Sequence, residues 1–154
     1  MTIWAVNLWV YVAYFRVVIL HIRTTGTIPN PAFPKSVNDK FLWRKIFDRN
    51  PDFVPLSDKL ESQVIARKKC PGVRVPKTLW VGRQASDIPP ELLTGNVLVK
   101  ASHGSGFVIP IFNGKYDRRS LEEETADWMG RTYGRRHWEW GYFGLEPKLY
   151  VEEM

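Results

Sequence analysis

Residues 96–112 read NVLVKASHGSGFVIPIF. The apolar run Val97-Leu98-Val99 delivers Lys100, and a turn of small residues follows at once, Ala101-Ser102-His103-Gly104-Ser105-Gly106. A second apolar run begins at Phe107 and continues to Phe112. Asn113-Gly114, a strong two-residue hairpin signal, then turns the chain into Lys115-Tyr116. The pattern predicts strand, glycine loop, strand. Pro110 marks the second strand as an edge or a bulge. Gly104 and Gly106 leave backbone N–H groups open to an anion, and Lys100 adds a positive charge at a strand end. Two readings fit these residues: a phosphate grip, and a plain hairpin with a solvated lysine. Neither common nucleotide fingerprint is present. GxxxxGK[ST] is absent, and GxGxxG requires a helix where a strand follows here.

Upstream, residues 58–69 predict a helix, with Asp58 and Glu61 as a capping pair and Leu60, Val64 and Ile65 as its apolar side. Lys59 lies in its first turn. Residues 38–48 predict another helix, capped by Ser36. Residues 24–34 form a connector broken by Gly26, Pro29, Pro31 and Pro34. Residues 3–20 are almost wholly apolar, interrupted by Asn7 and Arg16. Such a run suits a short membrane span, an interfacial helix or a buried helix. Residues 73–81 read as an extended segment with Pro76 at an edge.

Downstream, Ser120-Leu121-Glu122-Glu123 reads as a capping box. It opens a helix with Leu121, Thr125, Trp128, Met129 and Tyr133 on one face and Gly134 as its stop. Residues 135–144, RRHWEWGYFG, suit either stacking on a ligand or packing beneath a loop. The last residues, 147–154, begin as a strand.

The chain has 154 residues, 44% hydrophobic and 25% charged, with seven Trp. That is the composition of a globular domain and excludes a disordered tail. The net charge of +6 suits phosphates, nucleotides, anionic polymers or a membrane surface. The single cysteine, Cys70, excludes an internal disulfide. The three histidines lack metal-ligand spacing.

The order of these pieces resembles the nucleotide-binding part of ATP-grasp enzymes, and in particular the teichuronopeptide-synthesis-like (TupA-like) proteins. Three blocks carry the likeness: NDKFLWRKIFDRNP at 38–51 running into Ser57-Asp58-Lys59, VLVKASHGSG at 97–106, and YVEE at 150–153. The resemblance implies an α/β (α+β) fold of ATP-grasp type. It divides the chain into an apolar helix and connector (1–35), a small α/β lobe (36–95) and a nucleotide-binding glycine-loop lobe (96–154). It implies that Lys59 and Lys100 are phosphate lysines. Ser102, His103, Gly104, Ser105 and Gly106 become the loop over the β- and γ-phosphates, and Glu152 and Glu153 begin the strand at the adenine edge. The second block has fewer glycines than some relatives.

The activity implied is ligation of a carboxylate to an amine through an acyl phosphate, in cell-surface polysaccharide synthesis. ATP is then a substrate, with carboxylate and amine substrates as partners and no nucleic acid. Mg²⁺ is expected on ligands beyond Met154, so the chain reads as the front part of a longer enzyme, inactive alone, with no catalytic or metal residues of its own. The expected location is cytoplasmic, with membrane contact through residues 3–20 left open. A non-catalytic nucleotide- or polymer-binding module is the alternative. A glycosyltransferase ranks third, since there is no DxD.

Overall fold

The computed structural model describes residues 2–154. The chain forms two compact units. The first comprises the chain up to Pro51 together with Gly134–Trp140, and the second Asp52–Tyr133 with Gly141–Met154. The sequence boundaries at 36 and 96 fall inside these units.

In the first unit the apolar N-terminal run makes two helices, α1 (Ile3–Ala13) and α2 (Phe15–Thr25). The single helix over 3–20 is thereby corrected. No Gly or Pro marks the break. At Tyr14 the backbone leaves helical geometry (φ −120°, ψ 29°), and its carbonyl accepts from Val17 N and Val18 N at 3.0 Å each. The Tyr14 ring packs edge-on against Trp138, 5.2 Å away. Tertiary packing thus accompanies the break. Among the described residues no single helix is long and apolar enough to cross a membrane, and the pair is bent by 97°.

Asn7, an interruption in the sequence, ties α1 to the connector: it donates to Asn30 Oδ1 (2.9 Å) and accepts from Ala32 N (2.9 Å). Helix α3 (Val37–Ile46) starts on the expected Ser36 cap, with Asp39 closing the capping box. Burial pushes the Asp39 carboxyl up, but backbone amides of Ser36, Asn30 and Lys35 outweigh it and hold it below the ordinary range. Val10, Val17, Val18, Leu42 and Ile46 form the core, with Trp138 packed against it. Arg49 lies over the Trp140 ring at 5.2 Å. Both tryptophans of this stretch thus serve packing.

The second unit is α+β. Helices α4 (Phe53–Ser57) and α5 (Lys59–Lys69) precede strands β1 (Thr78–Gly82), β2 (Val97–Ala101) and β3 (Val108–Ile111). Helix α6 (Arg118–Gly130) and strand β4 (Leu149–Glu153) follow. The four strands make one antiparallel sheet in the order β1-β4-β2-β3. Pro110 sits in β3, an edge strand, where its missing N–H removes no ladder bond from the sheet interior. The extended segment 73–81 joins the sheet only from Thr78. Asn113 and Gly114 both take positive φ (51° and 67°), and Lys115 N donates to Phe112 O at 3.0 Å. That is the two-residue hairpin turn the sequence predicts.

Side chains alternate across the sheet. Val97, Val99, Ala101, Ile111, Leu149 and Val151 face a core closed by Leu121 and Trp128 of α6. The start and end of α6 differ from expectation. Asp117, not Ser120, is the N-cap, and its carboxylate accepts from Ser120 N at 2.6 Å. Aspartate competes well for that position. Glu122 and Glu123 pair instead with Arg118 and Arg119 one turn earlier. The helix ends at Gly130, so Tyr133 lies beyond it, its ring edge-on to Phe107. Gly134, in the left-handed region, caps the short turn Arg135–His137 instead of stopping α6.

Candidate functional site

The other face of the sheet carries a buried charge pair among Leu98, Tyr150 and the exposed Val108 and Pro110. The register sets Lys100 opposite Tyr150 and Leu98 opposite Glu152. Alternation therefore brings Lys100 and Glu152 onto one face as diagonal neighbours. Lys100 Nζ donates to Glu152 Oε1 at 2.5 Å, and Gln63 Nε2 of α5 donates to Glu152 Oε2 at 2.8 Å. Glu152 is only 3% exposed, so a charged carboxylate at that depth needs both partners.

Lys59 reaches the same place from the start of α5. Asp58 caps that helix, accepting from Leu60 N (2.8 Å) and Glu61 N (3.1 Å). The cap fixes the first turn, and Lys59 N donates to Ser102 O at 3.0 Å. The Lys59 ammonium donates to Ala101 O at 2.8 Å and to Gly104 O. It thus clasps the glycine loop from beneath. Burial lowers its pKa first, and the nearby Lys100 ammonium lowers it further, against the carboxylates of Asp58 and Glu152. Two ammonium groups from segments far apart in sequence sit close enough to repel.

The first half of the loop is anchored. Ser102 N donates to Lys148 O at 2.8 Å. Ser102, His103 and Gly104 are buried, while Ser105 and Gly106 are exposed. His103 Nε2 donates to Trp128 O at 2.9 Å, since a carbonyl can only accept. Burial pushes the His103 pKa down, so the ring is neutral near pH 7. Phe107 stacks on Trp128 with ring centres 5.5 Å apart. Gly104 is dictated by packing: a Cβ there would lie 2.6 Å from the Phe107 ring and 3.0 Å from Tyr133. Gly106 is required by its backbone, at φ 78°.

Lys59, Lys100, Glu152 and the loop 102–106 therefore come together. Glu153 does not join them by its side chain. It alternates to the opposite face and is exposed, with its carboxylate 3.9 Å from Lys77 Nζ. Sequence reasoning missed Gln63 and Tyr150. Gln63 had a signal, since it stands four residues after Lys59 and shares its helix face. Tyr150 is fully buried, and burial, reinforced by the charges of Glu152 and Asp58, raises its phenol well above the usual range.

Each lysine keeps donor capacity. An ammonium has three protons; Lys59 gives two to carbonyls and Lys100 one to Glu152. The arrangement can receive an anion at the lysine pair. Among the described residues no group of three or more His, Cys, Asp and Glu could hold a metal ion. No protein-family model, curated protein or solved structure matches this chain.

Proposed function

We propose that this chain carries the triphosphate grip of an ATP-dependent carboxylate–amine ligase of the ATP-grasp type, acting on surface-polysaccharide precursors. One observation carries the reading: Lys59 and Lys100 converge beside a glycine loop, around the buried carboxylate of Glu152. Phosphoryl transfer needs mainly position and charge neutralisation. Lys100 projects from a rigid strand and Lys59 from a capped helix start, so both charges are held before a ligand arrives. The exposed Ser105-Gly106 segment supplies backbone amides beside them. The chemistry proposed is transfer of the γ-phosphoryl group to a carboxylate oxygen with loss of ADP. An amine then attacks the acyl carbon and inorganic phosphate leaves. Among the described residues Mg²⁺ finds no set of ligands.

Isothermal titration with ATP tests the reading. Wild type binds saturably, and Lys100→Met and Lys59→Met each weaken binding about tenfold or more, the loss of one charged contact. Circular dichroism checks that each variant is folded. Equal affinity in folded variants contradicts the assignment.

A further inference from the structure

Helix α1 is apolar except where Asn7 and the Tyr11 hydroxyl bond the connector. Its inward side places Val10 in the core of the first unit, fully buried. Its outward side carries Trp4, Leu8, Trp9 and Val12, with Trp4 72% and Val12 70% exposed. Trp4, Leu8 and Val12 stand four residues apart and form one stripe. Phe15 and Ile19, past the bend in α2, are exposed too. An apolar patch of this extent marks an interaction surface.

Charge identifies the cover. No Asp or Glu occurs before Asp39, while Arg16, Arg23 and Lys35 do. The first unit holds nine Lys and Arg against three Asp and Glu; the second holds thirteen against thirteen. The whole net charge of +6 thus belongs to the unit that exposes the apolar helices. Apolar side chains with two tryptophans, flanked by an excess of positive charge, match the boundary of an anionic bilayer: headgroups outside, acyl chains beneath. The bend of 97° excludes a straight crossing of both helices.

We infer that α1 and the start of α2 form an interfacial docking surface for an anionic phospholipid membrane. Trp4, Leu8 and Val12 enter the acyl boundary, and Arg16 and Arg23 meet the phosphates. The occupant is lipid, and not a second copy of the chain, whose docking face would carry the same positive charge.

The test is co-sedimentation of the full chain with two kinds of vesicle, phosphatidylcholine alone and phosphatidylcholine mixed with phosphatidylglycerol. The chain binds the anionic vesicles, and high salt weakens that binding. The triple variant Trp4→Ser/Leu8→Ser/Val12→Ser, altered only at exposed positions, loses about tenfold or more in binding with unchanged circular dichroism. Arg16→Gln/Arg23→Gln lowers binding to anionic vesicles only. Undiminished binding by the folded triple variant overturns the inference. So does a concentration-dependent dimer in sedimentation velocity that the triple variant abolishes while wild type ignores vesicles; the cover is then a second copy.

Discussion

The two faces of the sheet are made by alternate residues of the same strands, yet they solve different problems. On one face Val97, Val99, Leu149 and Val151 meet Leu121 and Trp128 of α6, with the Glu153 carboxylate exposed at its margin. On the other, Lys100 and Glu152 sit beneath the loop, with Gln63 and Lys59 brought from α5. The first face gains stability by removing apolar surface from water, in proportion to area. The second buries charges, whose attraction must first offset their desolvation. A face with that balance is a poor source of stability and a good place for a charged ligand. Half of it is open, since Val108 and Pro110 on β3 are exposed.

The contrast breaks most visibly on the core face. Trp128→Ala removes the ring that stacks on Phe107 and closes the sheet, and should cost about 3–5 kcal/mol in urea unfolding. A cost below about 1 kcal/mol would mean that α6 does not close that face. On the other face, Lys100→Met strands a buried carboxylate and should cost about 3 kcal/mol. The double variant Lys100→Met/Glu152→Gln should recover at least about 1 kcal/mol of that loss, because the pair is one unit. Strict additivity would show the pair to be energetically idle.

The loop adds a pH signature. His103 stays neutral when folded, with its pKa below the unfolded value of 6.5. Below pH 6.5 the unfolded chain therefore binds the extra proton, and stability falls as pH drops. The slope from this one group is at most about 1.4 kcal/mol per pH unit. His103→Gln, which can still donate to Trp128 O, should flatten that slope between pH 6.5 and the folded pKa. An unchanged slope would place the titrating group elsewhere. The smallest effect belongs to the open half: Val108→Ser should change stability by no more than about 0.5 kcal/mol. A larger loss would show that this half is covered.

The strands and the helices α3, α5 and α6 are legible because their signals are local, whereas the five-residue α4 gives none. Val97-Leu98-Val99, the Asn113-Gly114 turn and the Ser36 cap each depend on neighbours within a few residues. The helix break at Tyr14 is hidden because no Gly or Pro marks it, and the Tyr14 ring packs on Trp138, more than a hundred residues away in sequence. The start of α6 was misplaced because Asp117 and Ser120 are both good caps, and only geometry chooses between them. At the candidate site, Lys100 stands out from its place at a strand end, and Lys59 only through the family resemblance. Their mutual approach could not be read, since it depends on how α5 meets the end of β2. Nor could the role of Gly104, which depends on two rings packed against it. Glu152 and Glu153 look equivalent in sequence, and strand alternation separates them.

On the function proposed, the face that carries Lys100 and Glu152, with its loop, receives a triphosphate. Amide chemical shifts of the labelled chain, followed through an ATP titration, test it most directly. The account predicts saturable shifts centred on Lys59, Lys100 and residues 102–106, with Val99 and Val151 nearly still. Shifts confined to other parts of the chain, or none that saturate, would contradict it.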